Sequence, residues 1–238
     1  MRASTSASGR AFASRAEGQL AELAHRERAA EGKADGLLVL HHGRGTDEHD
    51  LLPLADALDP EHRLHVVTPR GPLTIPGWPG HHWYVVERVG SPEPKSFAAA
   101  YHGLERFHDE LWERTGLGAD RTVLGGFSMG SVMSYALGLA PGRPAPAGLL
   151  IFSGFVPTVE GWEPDLPNRR GLPVFIAHGR KDPVMGTAFA RRARDLLSSA
   201  GLAVDYHESD VGHQIDPDAL AAAVGWMEGA VPAGPRTG

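Results

Sequence analysis

A three-layer α/β fold with a mostly parallel central sheet follows from three features of this sequence. Six short runs, most of them nearly all apolar, recur from residue 37 onward, longer stretches with helical spacing alternate with them, and the 238-residue length suits one generous domain. Strands covered on both faces read as continuous apolar runs rather than as alternating ones. The composition is ordinarily globular, with 42% hydrophobic and 22% charged residues.

The strand candidates are Leu37–Leu40, Leu64–Val67, Thr122–Phe127, Leu149–Phe152, Pro173–Ala177 and Ala203–His207. Between them, Leu51, Leu54, Ala55 and Leu58 form one helical stripe, and Phe97, Tyr101, Leu104, His108 and Leu111 a second. Met129, Val132, Met133, Ala136 and Leu137 make a third, Phe189, Ala193, Leu196 and Leu197 a fourth, and Leu220, Val224 and Met227 a last. Residues 1–36 are read as a tail, with one amphipathic helix over residues 14–31 turning Leu20, Leu23 and Ala24 inward. This region carries six of the 23 basic and five of the 29 acidic residues and has no apolar core, so neither a signal nor a transit peptide is expected. The catalytic domain is placed at residues 37–230, with residues 231–238 as a C-terminal tail. Two stretches rich in proline, glycine and tryptophan, residues 69–96 and 153–172, are read as pocket walls.

Several function classes drop out early. With no cysteine there is no disulfide, thiolate metal site or cysteine nucleophile. A net charge of −6 offers no footprint for nucleic acid, and no apolar run is long enough for a membrane span. A cytoplasmic location is the expectation, and apolar loop residues leave room for a homodimer. The adjacent pairs His41–His42 and His81–His82, with His49, do not have metal-ligand spacing, because neighbours on a strand point to opposite faces. No metal and no cofactor are expected.

The sharpest signal is Gly126-Phe127-Ser128-Met129-Gly130, which ends one strand and opens a helical stripe. That is the strand–turn–helix setting of a nucleophile elbow, and it makes Ser128 the candidate nucleophile. A serine hydroxyl needs a base, and the base needs an orienting acid. Asp182, just past the strand Pro173–Ala177, is the acid candidate, and His213, in the loop after Ala203–His207, is the base candidate. The order Ser, Asp, His is the one this architecture uses. His178 and His207 compete as bases, Glu208 and Asp210 as acids; the acids lie too close in sequence to His213 for separate loops. The backbone N–H groups of Arg44 and Met129 are the candidate oxyanion hole, each contributing about 3–4 kcal/mol if aligned on the tetrahedral oxygen. Trp83, Phe127, Met185 and Trp162 are the candidate pocket residues.

The motifs LHHGRGTDEHDL, GGFSMGS, IAHGRKDPVM and VGHQIDP, in that order, resemble the phospholipase/carboxylesterase family of α/β-hydrolases, the group with acyl-protein thioesterase-like enzymes. The resemblance covers about residues 37–228. It implies a cofactor-free serine esterase with a small or absent cap, with Ser128, Asp182 and His213 as triad and Arg44 and Met129 as oxyanion donors. It also implies that the Pro79-Gly80-His81-His82-Trp83-Tyr84 loop lines the pocket. Two departures stand out. The position of Arg44 is often apolar in thioesterase-type members, which argues against long-chain acyl-protein substrates and leaves room for a polar or anionic group. The N-terminal region also does not read as the antiparallel hairpin many members carry. The expected function is hydrolysis of short-to-medium acyl esters of small molecules through an acyl-enzyme. A thioesterase or lysophospholipase is the alternative within the class, and a non-catalytic binding module on the same fold is the alternative outside it.

Overall fold

The computed structural model describes residues 23–234. Its centre is a seven-stranded sheet in the order β1-β3-β2-β6-β7-β8-β9, formed by His25–Arg28 (β1), Gly36–His41 (β2), Leu64–Pro69 (β3), Thr122–Phe127 (β6), Gly148–Phe152 (β7), Pro173–Gly179 (β8) and Ala203–Ser209 (β9). Only β1 runs antiparallel to its neighbour. Val86–Arg88 (β4) and Ser91–Pro92 (β5) make a separate small hairpin inside one of the pocket-wall stretches. All six apolar runs of the sequence are strands of the main sheet.

Alternation along each strand explains why both strand faces are apolar. Leu37, Val39, Ile151, Val174 and Ile176 face one hydrophobic layer, while Leu38, Leu40, Leu150, Phe152 and Phe175 face the other. The first layer is closed by helices Pro94–Thr115 (α2), Met129–Gly138 (α3) and Ala188–Ser199 (α4). The second is closed by Leu52–Leu58 (α1) and Pro217–Ala230 (α5). Helix α3 is buried along its whole length, so it is the axle on which the first layer packs.

Several expectations need correction. Residues 25–28 are a strand rather than part of a helix over 14–31; the rest of that proposed helix falls largely outside the described residues, Leu20 included. The strand pairs His25 with Pro69 and Arg28 with Val66. Its charges are satisfied sideways, Arg28 by Asp56 and Asp59, and Glu27 by His65 and Arg114. A charged strand at a sheet edge is stable because one rim stays wet, and its charges discourage further pairing. The sheet therefore begins before residue 36 and includes an antiparallel N-terminal strand. At the other end, Val231 is fully buried in the second layer, and Gly234 N–H donates to Asp35, so the folded body runs past residue 230. The inward face of α5 is Ala219, Ala223 and Met227, one position off the Leu220–Val224 stripe. In α4, Leu196 is exposed while Ala190, Ala193 and Leu197 are buried.

Candidate active site

The carboxyl ends of β2, β6, β7, β8 and β9 converge on one edge of the sheet, where open α/β sheets present ligands. Strand β6 ends in Gly125-Gly126-Phe127, and Ser128 turns the chain directly into α3 with φ 55° and ψ −116°. A non-glycine residue at positive φ is strained, and the surroundings must hold it there. Ser128 N–H donates to Phe152 O at 2.9 Å, tying the turn to β7. Ser131 Oγ lies 2.6 Å from Gly126 O and 2.8 Å from Phe152 O, bracing the same corner from the first turn of α3. The glycines on either side permit the close approach. A Cβ on Gly130 would sit 1.9 Å from His41 O, and one on Gly126 would sit 2.7 Å from that same oxygen.

Ser128 is only 7% exposed, and its Oγ is 2.8 Å from His213 Nε2. The other ring nitrogen of His213, Nδ1, is 2.6 Å from Asp182 Oδ2. With Asp182 ionised, Nδ1 carries the proton and Nε2 is left as acceptor toward the serine hydroxyl. Asp182 Oδ1 accepts the N–H groups of Val184 and Met185, both at 2.8 Å, so the buried carboxylate is pinned on both oxygens. The loops that bear the acid and the base are laced together. Arg180 N–H donates to Ser209 O and Lys181 N–H to Val211 O, and Gly179 packs so tightly that a Cβ there would meet Gly212 O at 2.2 Å.

The rival groups have other partners. Glu208 is clasped by Arg191, whose guanidinium holds its carboxyl at about 2, and Asp210 pairs with Arg180. His178 Nε2 donates to Met185 O, fixing the acid loop, and His207 stacks on Phe175 at 4.7 Å.

The loop after β2 crosses above the serine corner. His42 organises it: Gly71 N–H donates to Nε2, so Nδ1 carries the proton and reaches Gly43 O at 2.7 Å. Burial first, and the neighbouring His81 as well, push His42 below its usual range and keep it neutral. Neither Arg44 N–H nor Met129 N–H donates to any acceptor among the described residues. The Met129 N–H, at the helix N-terminus next to Ser128, is a free donor in a position suited to developing negative charge.

The four pocket candidates separate. Trp162 lines a groove of about 1310 Å³, together with Phe155, Val159, Phe189 and Leu196. Phe127 stands beside His213 with ring centroids 4.9 Å apart. Trp83 does not line a pocket: it is 0% exposed, donates Nε1–H to His42 O and packs against both His41 and His42. It is a buttress under the loop, and Tyr84 beside it is equally buried. Met185 is buried as well, and its backbone serves Asp182. Phe155 and Gly179 were not among the sequence candidates, although an aromatic three residues beyond the β7 end and a glycine closing the strand before the acid were both visible signals.

Among the described residues, Asp47, Glu48 and His49 bring ligand-type atoms within 4.8 Å of one another. Glu48 is held by Arg70 on both carboxylate oxygens, and His49 Nε2 accepts from Arg26, so the cluster's lone pairs are largely spent on protein cations.

Comparison with known proteins points one way. Residues 27–228 match the phospholipase/carboxylesterase family model. A putative hydrolase of Bacillus subtilis (strain 168), MhqD, is 30% identical over 200 residues, spanning 84% of this chain and 96% of the relative. An acyl-protein thioesterase 1 of Debaryomyces hansenii is 28% identical over 177 residues, 71% of this chain and 73% of that one. The crystal structure of a Bacillus cereus carboxylesterase superposes with a TM-score of 0.76 at 27% identity, covering 89% of this chain and 96% of the other.

Proposed function

Since this chain belongs to the phospholipase/carboxylesterase family of α/β-hydrolases, and is thus a hydrolase of the carboxylesterase/thioesterase type, we propose that it cleaves small carboxylic esters through an acyl-enzyme on Ser128. One observation carries the assignment of roles: the unbroken relay from Ser128 Oγ to His213 Nε2 and from His213 Nδ1 to Asp182, at 2.8 and 2.6 Å.

In the proposed reaction, Ser128 Oγ attacks the ester carbonyl while His213 Nε2 takes its proton. Asp182 holds the imidazole in the required tautomer and stabilises the imidazolium. The carbonyl oxygen, now an alkoxide, rests against the N–H groups of Arg44 and Met129. Collapse of the tetrahedral intermediate breaks the bond to the alcohol, which leaves with the proton from His213. Water then enters, gives a proton to the same nitrogen and attacks the acyl carbonyl; collapse breaks the bond to Ser128 Oγ, which takes the proton back from His213, and the carboxylic acid is released. No step needs a metal or an electron carrier.

Phe127 supplies apolar surface next to the base; the groove bearing Trp162 and Phe155 is lined by none of the triad residues. Short-to-medium acyl chains are the proposed preference. The likeness to an acyl-protein thioesterase favours a thioester as the second reading. No helix among the described residues is long and apolar enough to cross a membrane, which is compatible with the proposed cytoplasmic location. Turnover of p-nitrophenyl esters and acyl-thioesters of increasing chain length tests the reading. The highest kcat/KM should fall on short or medium oxygen esters, and Ser128→Ala should abolish it. Equal rates in both proteins would sink the role of Ser128, and a steep long-chain thioester preference would replace the first reading with the second.

A further inference from the structure

The exposed Arg44 side chain has no part in the reaction as derived, which uses only its backbone. Its guanidinium lies 3.8 Å above the Trp78 ring, and Trp78 is itself 54% exposed. Arg63, Arg70, Arg180 and Arg191 each close on a carboxylate. Arg44 has none within ion-pair distance among the described residues, and its side-chain N–H groups make no hydrogen bond there.

Stacking determines what this cation is free to do. A guanidinium resting flat on an indole uses its face for the cation–π contact, while its five N–H donors point outward in the plane. The stack holds the group without occupying the fork that recognises an oxyanion in bidentate fashion. The platform is rigid. Gly45 N–H donates to His81 O at 2.9 Å and His81 N–H to Thr46 O at 2.7 Å, and Gly80 abuts Gly45 O, so the loop of Arg44 and the loop of Trp78 move as one. Trp78 in turn meets the His82 ring edge-on at 6.5 Å. Burial and then the Arg44 charge lower the His82 pKa, so the neighbouring imidazole stays neutral and Arg44 is the cation of this wall.

We infer that the Arg44 guanidinium is the specificity group of the site and selects esters carrying a second, anionic oxygen group, a carboxylate in the first instance. The inference rests on the proposed oxyanion role of the Arg44 N–H. That role puts the reacting carbonyl against the backbone of the same residue, so the guanidinium is within one arginine side chain of it. A charged substituent on a short acyl or alcohol portion falls in that range, whereas the end of a long alkyl chain does not.

Two matched substrate pairs test this and differ only in charge. The first, meta-carboxyphenyl butanoate against meta-carbamoylphenyl butanoate, places the charge on the alcohol. The second, the methyl monoester of glutaric acid against the methyl ester of its monoamide, places it on the acyl group. The reading is the ratio of kcat/KM within a pair, compared between wild type and Arg44→Gln, so that intrinsic reactivity cancels. In at least one pair the wild-type ratio should exceed that of Arg44→Gln by about tenfold or more, as expected for a charge-assisted bidentate contact. Arg44→Lys should keep part of the preference, Trp78→Leu should weaken it, and added salt should erode it. Ratios that are the same in wild type and Arg44→Gln for both pairs overturn the inference and leave the esterase reading standing. A folded wild type that hydrolyses none of the four esters overturns the esterase reading, and this inference with it.

Discussion

At Ser128 the backbone is held at φ 55°, a conformation an L-residue adopts only under constraint. The constraint comes from Phe152 O, from Ser131 and from the His41 carbonyl packed on Gly130. Asp182 shows the same logic at the far end of the relay, with one oxygen on two backbone N–H groups and the other on His213. Asp182→Asn keeps the shape but offers Nδ1 a donor as readily as an acceptor, so the wrong tautomer gains ground. We predict a fall in kcat of about 10⁴ with little change in KM, read from steady-state kinetics. These three residues were legible in the sequence because glycine spacing marks the turn and chain order marks the partners. The Arg44–Trp78 stack was not, since it joins residues 34 apart through the fold of two loops. Trp83 misled for a related reason: an aromatic in a glycine- and proline-rich loop reads as pocket lining until His42 O and the two histidine rings claim it.

Among the elements, the tightest joint is the one between β2 and the start of α3. Gly130→Ala would drive a methyl group into the His41 carbonyl, and backbone on both sides cannot yield. We predict a loss of about 3 kcal/mol in stability, together with a kcat drop from displacement of the Met129 N–H; thermal denaturation and kinetics on the same sample check both. An equal substitution at Gly103, with open space beside it in α2, should be neutral or slightly stabilising. Five of the six parallel strands, β2, β3, β6, β7 and β8, were legible because burial leaves them mostly apolar; the edge strand β9 has no fully buried residue but still carries Val204 and Tyr206 against the core. Strand β1 was not, because His25-Arg26-Glu27-Arg28 carries its charges at a wet sheet edge. Helix α5 was found but turned by one residue: its buried Ala219 and Ala223 weigh less in any hydrophobic pattern than the neighbouring Leu220 and Val224.

For the molecule as a whole, acid is the expected weakness. Burial keeps the His108 pKa down at about 3 and His41 well below the ordinary range, so both are neutral in the folded state. In the unfolded chain they take up protons near 6.5, and stability therefore falls as the pH drops from about 6.5 toward 3. Each such histidine contributes up to about 1.4 kcal/mol per pH unit within that window. Glu48, held at about 2 by Arg70, adds the carboxylate counterpart: its contribution is full above 4.5 and disappears as the pH approaches 2. Melting temperatures from pH 8 to pH 4 should decline steeply below 6.5, and His108→Phe should flatten that decline. The groove under residues 155–165 belongs to this scale too, because its walls come from a loop, a helix and a hairpin that no local pattern links. The scaffold converges on Ser128, which we propose becomes acylated. Intact-mass analysis after treatment with a fluorophosphonate tests it most directly. One covalent adduct, mapped to the peptide containing Ser128 and strongly slowed in His213→Ala, is the predicted result; folded protein that stays unlabelled, or that is labelled equally well as Ser128→Ala, would contradict it.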